Sequence, residues 1–407
     1  MTTIAVLATL DTKGREAAYL RERIEASGAE ALLIDLGVVG EPGTPPDVTR
    51  ESVAAAGGTP LAQLLDGATR QKASPVMIAG ATKILNEKLA AGEIDGVLGL
   101  GGTQGTSNGT AVMQALPYGF PKIMVSTVAS GDTSAFVGIK DVTMMFSVSD
   151  ILGLNPLTRK ILANAAAAAV GMARSGVELE RSTSTKPVIG LTNLGVLTEG
   201  AMHALKCFEE RGYDVIVFHA IGAGGNAMEQ MMKDGIIGAV FDYALGEIAD
   251  EVFDGLRAGG DARLTVASEL GLPQVVTPSG ADHGGFLVPE NTVPERWKDH
   301  AYVFHNPIIL APRMDADDMR VIARETAKRL ANAKRDTCFM VPTRSFSRYG
   351  IEAGPLRDPA ADAAFTDELR KHLPATVELI EVDADAEDPV FVEACIERLC
   401  AMIEARE

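Results

Sequence analysis

Short, continuous runs of apolar and often β-branched residues recur along this 407-residue chain, and stretches with helical periodicity separate them. In the first half the runs are IAVLA (4–8), ALLIDL (31–36), GVLGL (96–100), KIMVST (122–127) and VTMMFSV (142–148). Between them lie REAAYLRERIEAS, the segment from Arg70 to Ala91, and TSNGTAVMQAL. A strand with one wet face alternates apolar and polar residues, whereas a run that is apolar throughout needs cover on both faces. The pattern therefore predicts an α/β fold built on doubly wound, mostly parallel, Rossmann-like sheets.

The alternation stops once and restarts. An Ala-rich helix from Asn155 to Arg174 is followed by SGVELERSTSTKP (175–187), which is polar, lacks an apolar period and reads as a linker. Beyond it come PVIGL (187–191), VIVFHA (215–220), IIGAVF (236–241), QVVTP (274–278), YVFHN (302–306), CFMVP (338–342) and VELIEV (377–382). Helical segments intervene, notably Ala316 to Ala333 and Pro389 to Ala405. The expectation is two α/β domains, 1–180 and 181–407, facing a cleft. Residues 4–37 and 188–222 each give strand, Thr-containing loop, amphipathic helix, Gly turn and strand. Any two βαβ units share that plan, so it supports common architecture more firmly than it supports duplication of one ancestral unit.

Charge narrows the function classes. The chain carries a formal −18, but only −4 of it falls in residues 1–180 and −14 in the remainder. Such a surface repels nucleic acid and anionic lipid while leaving room for a local positive pocket in the first domain. Cys207, Cys338, Cys395 and Cys400 show no metal-ligand spacing such as CxxC, and six His form neither HxH nor HExxH, so no structural zinc site is expected. The N-terminus has no basic region, and no run reaches 18 apolar residues; a cytoplasmic protein without membrane attachment is expected.

The sharpest local feature is GVLGLGGTQGTSNGTAVMQAL (96–116), a buried strand running through Gly99, Gly101 and Gly102 into Thr103, Gln104, Gly105 and Thr106 before a helix. Glycines let a backbone approach an oxyanion, and a helix N-terminus attracts it, so the loop suits phosphate; a tight steric turn is the competing reading. The loop lacks the Lys of GxxxxGK[ST], does not fit GxGxxG in register, and has no acidic member where GGDGT-type loops carry one. No acidic residue stands about 20 positions further on to hold a dinucleotide ribose. The first βα turn, Thr9 to Gly14, is the second candidate: Lys13 can neutralise a phosphate, Thr12 can donate to it, and Asp11-Thr12 also reads as a plain helix cap.

ATLDTKG (8–14), the Asp of LLIDLG (32–37), GVLGLGGTQGT (96–106), PKIMVSTVASGDT (121–133), SVSDILGLN (147–155) with ILANAAAAAVGM (161–172), and HAIGAGGNAME (219–229) together resemble the ATP-binding family related to the tomato mosaic virus resistance protein. The resemblance spans essentially the whole chain. It implies two Rossmann-like subdomains, ATP in the first, and dimerisation; a homodimer or higher homo-oligomer is expected, with Mg2+ accompanying the ATP because phosphoryl chemistry calls for a divalent cation. Carried over by motif, Asp11, Thr12, Lys13, Gly40, Arg70, Gly102, Thr103, Gln104, Gly105 and Thr106 would contact the nucleotide. Gln104 stands where the family commonly has glycine, and Thr69-Arg70-Gln71 where it commonly has Asp-Arg-Gly.

For catalysis, Asp132 in SGDT and Asp150 in SVSDILGLN are the candidates, as a metal ligand and as a general base or helix cap respectively. In the second domain Gly222, Gly224 and Gly225 of HAIGAGG form another Gly loop that could hold an anionic second ligand, with Thr192, Asn193 and Thr198 on a neighbouring loop. Glu247, Asp282, His283 and His305 also fall at strand ends. The expected function is an ATP-dependent enzyme acting on a small anionic metabolite, by phosphoryl transfer or carboxylate activation; the alternative is a nucleotide-responsive interaction module without turnover.

Overall fold

The computed structural model describes residues 1–67, 69–177, 186–334 and 336–406. It divides into two compact units, Met1–Glu180 and Arg181–Glu407. Most of SGVELERSTSTKP, residues 178–185, lies outside the described residues.

The first unit is a parallel sheet of β1 (Thr3–Ala8), β2 (Glu30–Asp35), β3 (Gly96–Gly101), β4 (Lys122–Ser126) and β5 (Thr143–Phe146), in the order β2-β1-β3-β4-β5. The apolar runs behave as both-face burial requires. Ile4, Val6 and Ala8 of β1 enter a core with Leu20, Ile24, Leu162 and Ala166 from helices Leu10–Ala26 and Pro156–Ala173. Their neighbours Ala5 and Leu7 enter a second core with Val53, Met77, Leu85 and Val112 from helices Arg50–Ala56, Arg70–Ala90 and Thr103–Gln114. Successive side chains point to opposite faces, so one strand feeds two cores. The winding reverses at β1, which pairs with β2 on one side and β3 on the other. A crevice opens at such a reversal, outside the carboxyl ends of the strands.

The second unit contains β6 (Ile189–Asn193), β7 (Val215–His219), β8 (Ala239–Asp242), β9 (Gln274–Val276), β10 (Phe286–Leu287), β11 (Tyr302–Asn306), β12 (Ile309–Pro312), β13 (Thr337–Pro342) and β14 (Glu378–Val382). Six of them form a parallel sheet, β14-β13-β9-β8-β6-β7, wound like the first. YVFHN departs from the expected alternation. It is β11 of a separate antiparallel sheet, β10-β12-β11, because only Pro307 and Ile308 join it to β12 and two residues permit a hairpin but no crossover helix.

Two sequence expectations about helix starts also change. The helix read as TSNGTAVMQAL begins at Thr103, with Gly102 as its N-cap, so Thr103, Gln104 and Gly105 are a first helical turn rather than free loop. Asp150 does not cap the Ala-rich helix: Asn155 does, its side chain accepting from Leu157 and Thr158 amides at 2.9 and 3.0 Å while the Thr158 hydroxyl accepts from the Asn155 amide at 2.9 Å. Asn155→Ala removes this capping box and should cost about 1 kcal/mol in chemical denaturation; an unchanged stability would show that tertiary packing alone fixes this helix start.

Candidate functional site

Three chain segments converge on the carboxyl edge of the first sheet. The turn after β1 brings Thr9, Asp11, Thr12 and Lys13; the turn after β2 brings Leu36 to Val39; the turn after β3 brings Gly102 to Gly105. With Thr69, Arg70, Ser74 and Met77 they line a cavity of about 600 Å³, at the winding reversal between β1 and β3. Of the sequence candidates, Asp11, Thr12, Lys13, Arg70, Gly102, Thr103, Gln104 and Gly105 share this cavity.

The glycines settle which reading of GGTQGT holds at which position. A Cβ on Gly101 would come 2.7 Å from the Gly105 Cα, and one on Gly99 would strike the Met124 sulfur at 2.6 Å, so these two are steric glycines. Gly102 is different: the nearest atom to a Cβ there is Thr127 Oγ1 at 3.8 Å, and at Gly105 it is the Leu100 carbonyl at 3.5 Å. Both positions have room inside the protein, and both face the cavity. No side chain caps this helix. The amides of Thr103, Gln104 and Gly105 have no carbonyl one turn back, and the dipole adds positive potential there. Gln104 donates to Ser74 Oγ at 3.2 Å and to Asn108 Oδ1 at 2.8 Å, which ties its side chain to two helices flanking the cavity.

The first turn is organised by buried Asp35. Its Oδ1 accepts from the Leu10 amide at 3.0 Å and the Gly37 amide at 2.8 Å, so it caps helix Leu10–Ala26 from the end of β2, in place of the Asp11-Thr12 cap. Burial pushes the Asp35 carboxyl above its ordinary range against those two amides, and the Asp11 charge adds to the rise. Asp11 Oδ2 accepts from the Gly40 amide at 3.3 Å, while its Oδ1 is buried with no hydrogen-bond partner among the described residues. The helix kinks at Lys13 (φ −122°, ψ 18°), whose ammonium donates to the Ile151 carbonyl. An ammonium has three N–H donors, so donors remain for an anion.

Four expected site residues have other positions. Gly40 seats Asp11: a Cβ there would lie 2.9 Å from the Asp11 Cβ, and Gly40 does not line the cavity. Thr106 is fully buried, its hydroxyl 2.7 Å from Ser126 Oγ, where it ties the helix to β4. Asp132 is exposed and accepts from the Ser134 amide at 2.9 Å, which lowers its carboxyl below the ordinary range. Asp150 is exposed on the loop after β5, outside the cavity lining.

In the second unit, the Gly loop after β7 is engaged from within. The amides of Gly222 and Gly225 both donate to Glu247 Oε1, at 2.6 and 3.1 Å, and a Cβ on Gly224 would lie 1.9 Å from the His219 carbonyl. The expected second-ligand donors thus hold the protein's own carboxylate. Glu247 meets Arg263 at 2.6 Å, and Arg263 also pairs with Asp242 at 2.5 Å and Glu229 at 3.2 Å, all buried. Burial pushes Glu247 and Glu229 above the ordinary carboxylate range against the pull of Arg263. The loops after β6 and β8 bury Leu194, Leu197, Tyr243 and Leu245. Thr192 donates to Asp242 Oδ1 at 3.0 Å, Thr198 bonds back to Gly195, and His305 is exposed.

Comparison with known proteins follows from these two units. Residues 2–178 match the N-terminal domain model of the uncharacterised protein family UPF0261, and residues 186–403 match its C-terminal domain model. The chain belongs to the UPF0261 family. A UPF0261 protein of Clostridium tetani is 38% identical over 98% of this chain and 99% of its own length. The tomato ToMV resistance protein Tm-1(GCR237) is 33% identical over 68% of this chain and 37% of its own. Among solved structures, a UDP-GlcNAc 2-epimerase from Neisseria meningitidis is 9% identical over 68% of this chain and 82% of its own, with a TM-score of 0.22. A likeness that loose carries no argument about function.

Asp282 and His283 of this UPF0261 chain form a buried network in the second unit. His283 Nδ1 lies 2.9 Å from Asp282 Oδ1, Ser347 donates to Oδ2 at 2.6 Å, and Arg313 stands 3.5 Å away. Burial alone would raise the Asp282 carboxyl, but His283, Arg313 and Ser347 outweigh it and bring it down to about 2. A lowered carboxyl stabilises the fold above its unfolded value of 3.8 and loses that contribution as pH falls through about 2. Asp282→Asn should cost on the order of 2 kcal/mol at neutral pH, with the deficit shrinking below pH 3.8. A deficit that stays constant down to pH 2 would contradict this reading of the network.

Proposed function

We propose that the first unit binds ATP in this cavity and that the protein uses it to transfer a phosphoryl group to, or to activate a carboxylate of, a small anionic metabolite. The observation that carries the reading is the uncapped helix start at Thr103–Gly105, where two glycines with steric room face the cavity that Lys13 and Arg70 also line. Phosphoryl chemistry needs positioned donors and positive charge around the phosphates more than it needs a covalent catalyst. Backbone amides supply one side, the Lys13 ammonium a point charge, and Arg70 a guanidinium that can bind bidentately.

The residues present fit a divalent cation as well. Asp11 Oδ1 is a buried carboxylate oxygen without a hydrogen-bond partner among the described residues, and Asp11 lines the cavity together with Thr9 and Thr12, whose hydroxyls lie 2.9 Å apart. Oxygen donors of this kind suit Mg2+, and Asp11 would hold it, with Thr9 and Thr12 as supporting oxygens. Bound there, the ion would neutralise phosphate charge. Asp35, by fixing the Leu10 amide, holds the turn that presents Asp11 and Lys13.

One observation favours the second reading, a nucleotide-responsive module without turnover. Asp11 is the single carboxylate among the lining residues, and both Asp132 and Asp150 lie outside them. ATP consumption in the presence of candidate acids and sugars distinguishes the two readings from ATP-dependent stabilisation alone. For the site itself, the double variant Lys13→Ala, Arg70→Ala should weaken calorimetric ATP binding about a hundredfold or more, from two lost charge-assisted contacts. The variant's melting transition without ligand should stay cooperative. ATP affinity equal to the parent chain's would place the nucleotide elsewhere.

A further inference from the structure

Far from the cavity in sequence, His203 and Cys207 stand one turn apart on helix Thr198–Glu210, which packs against helix Pro389–Glu404 carrying Glu393. His203 Nε2 lies 2.8 Å from Glu393 Oε1 and 3.6 Å from Cys207 Sγ. All three ligand atoms fall within 4.8 Å of one another. We propose that His203, Cys207 and Glu393 form a site for a thiophilic, tetrahedral divalent cation of the Zn2+ class, with water completing the coordination.

The geometry supports this directly. With Zn–N near 2.05 Å and Zn–S near 2.3 Å, tetrahedral ligation puts nitrogen and sulfur about 3.6 Å apart, the separation found here. The nitrogen-to-oxygen distance is about half an ångström shorter than tetrahedral ligation needs. Glu393 is half exposed, so its carboxylate is free to withdraw by that amount. The donor set is imidazole, thiolate and carboxylate, so a dication makes the site electrically neutral once the thiol proton leaves to solvent. His203 is itself partly exposed, which leaves the cluster open on the solvent side. Cys207 is also part of the buried core of this unit, so its thiol is held in place on the inner side of the cluster while His203 and Glu393 reach it from the solvent side.

The other group of this kind among the described residues, His300 with Asp315 and Asp318, is built differently. Asp315 Oδ1 caps helix Ala316–Arg329, and His300 Nδ1 is 2.8 Å from the Arg313 carbonyl. It offers one imidazole and two carboxylates with no soft donor, and Asp315 is already committed to the helix cap. Of these two groups, the His203 cluster is the one that combines soft and borderline donors. Bound metal would clip the helix that opens the second unit to the one that closes it, across 190 residues of chain, and so stabilise the folded state in proportion to its occupancy.

The test is titration of the full chain with Co2+ and with Zn2+. One equivalent of Co2+ should produce a near-ultraviolet thiolate-to-metal charge-transfer band, with Zn2+ displacing it and raising the melting temperature. Cys207→Ser should abolish the band, and the exposed-side variants His203→Gln and Glu393→Gln should lower affinity by at least about tenfold while their circular dichroism matches the parent. Binding should also strengthen as pH rises, because the thiol must release its proton. A parent chain that shows no thiolate band, or a Cys207→Ser variant with the same Co2+ spectrum as the parent, overturns the proposal.

Discussion

The site in the first unit depends on a helix that starts without a cap. Helix Thr103–Gln114 begins directly at the end of β3, its N-cap is Gly102, and no side chain turns back to bond its leading amides. Unmet amides at a helix start ask for water or an anion. The winding reversal of the sheet places the turn after β1 across from this helix start, and Lys13 comes with it. Helix end, cation and crevice are therefore consequences of one topological fact, the pairing of β1 with both β2 and β3.

The second unit repeats the winding and resolves its Gly loop the other way. There Glu247 reaches the Gly222 and Gly225 amides, and Arg263 balances Glu247 together with Asp242 and Glu229. Three carboxylates around one buried guanidinium explain where part of that unit's excess acid lies: inside, in ion networks, rather than as a uniformly repelling surface. Breaking one partner of such a group leaves a buried charge uncompensated, which is why these networks stay complete. Similar Gly-rich sequence thus yields an uncapped helix start on an open cavity in one unit and an internal tie in the other.

Much of the fold was legible because apolar runs such as IAVLA and GVLGL can only be satisfied by cover on two faces, and the structure feeds Ile4 and Ala5 into different cores. The hairpin at YVFHN was not, since a five-residue run looks the same in a parallel or an antiparallel sheet, and the deciding two-residue link, Pro307-Ile308, merges through Ile308 with the apolar residues of β12. In the site, the cations and the Gly102–Gly105 turn were visible from residue type and position in a βα turn. The settings of Gly40, Thr106 and the Gly222 loop were not visible, because a glycine or hydroxyl in sequence does not say whether a buried neighbour already engages it. Asp35 marked itself as an acid at a strand end, but its role as a cap for a helix 25 residues away exists only in three dimensions.

Amide hydrogen exchange of the full chain with and without Mg2+-ATP tests the central claim most directly, because it reads the backbone donors themselves. The account predicts that ATP slows exchange at Thr103, Gln104 and Gly105 and in the Asp11–Lys13 turn, while Gly222 and Gly225, already bonded to Glu247, are unchanged. Saturating ATP that leaves Thr103–Gly105 unprotected, or that protects the Gly222 loop instead, would contradict it.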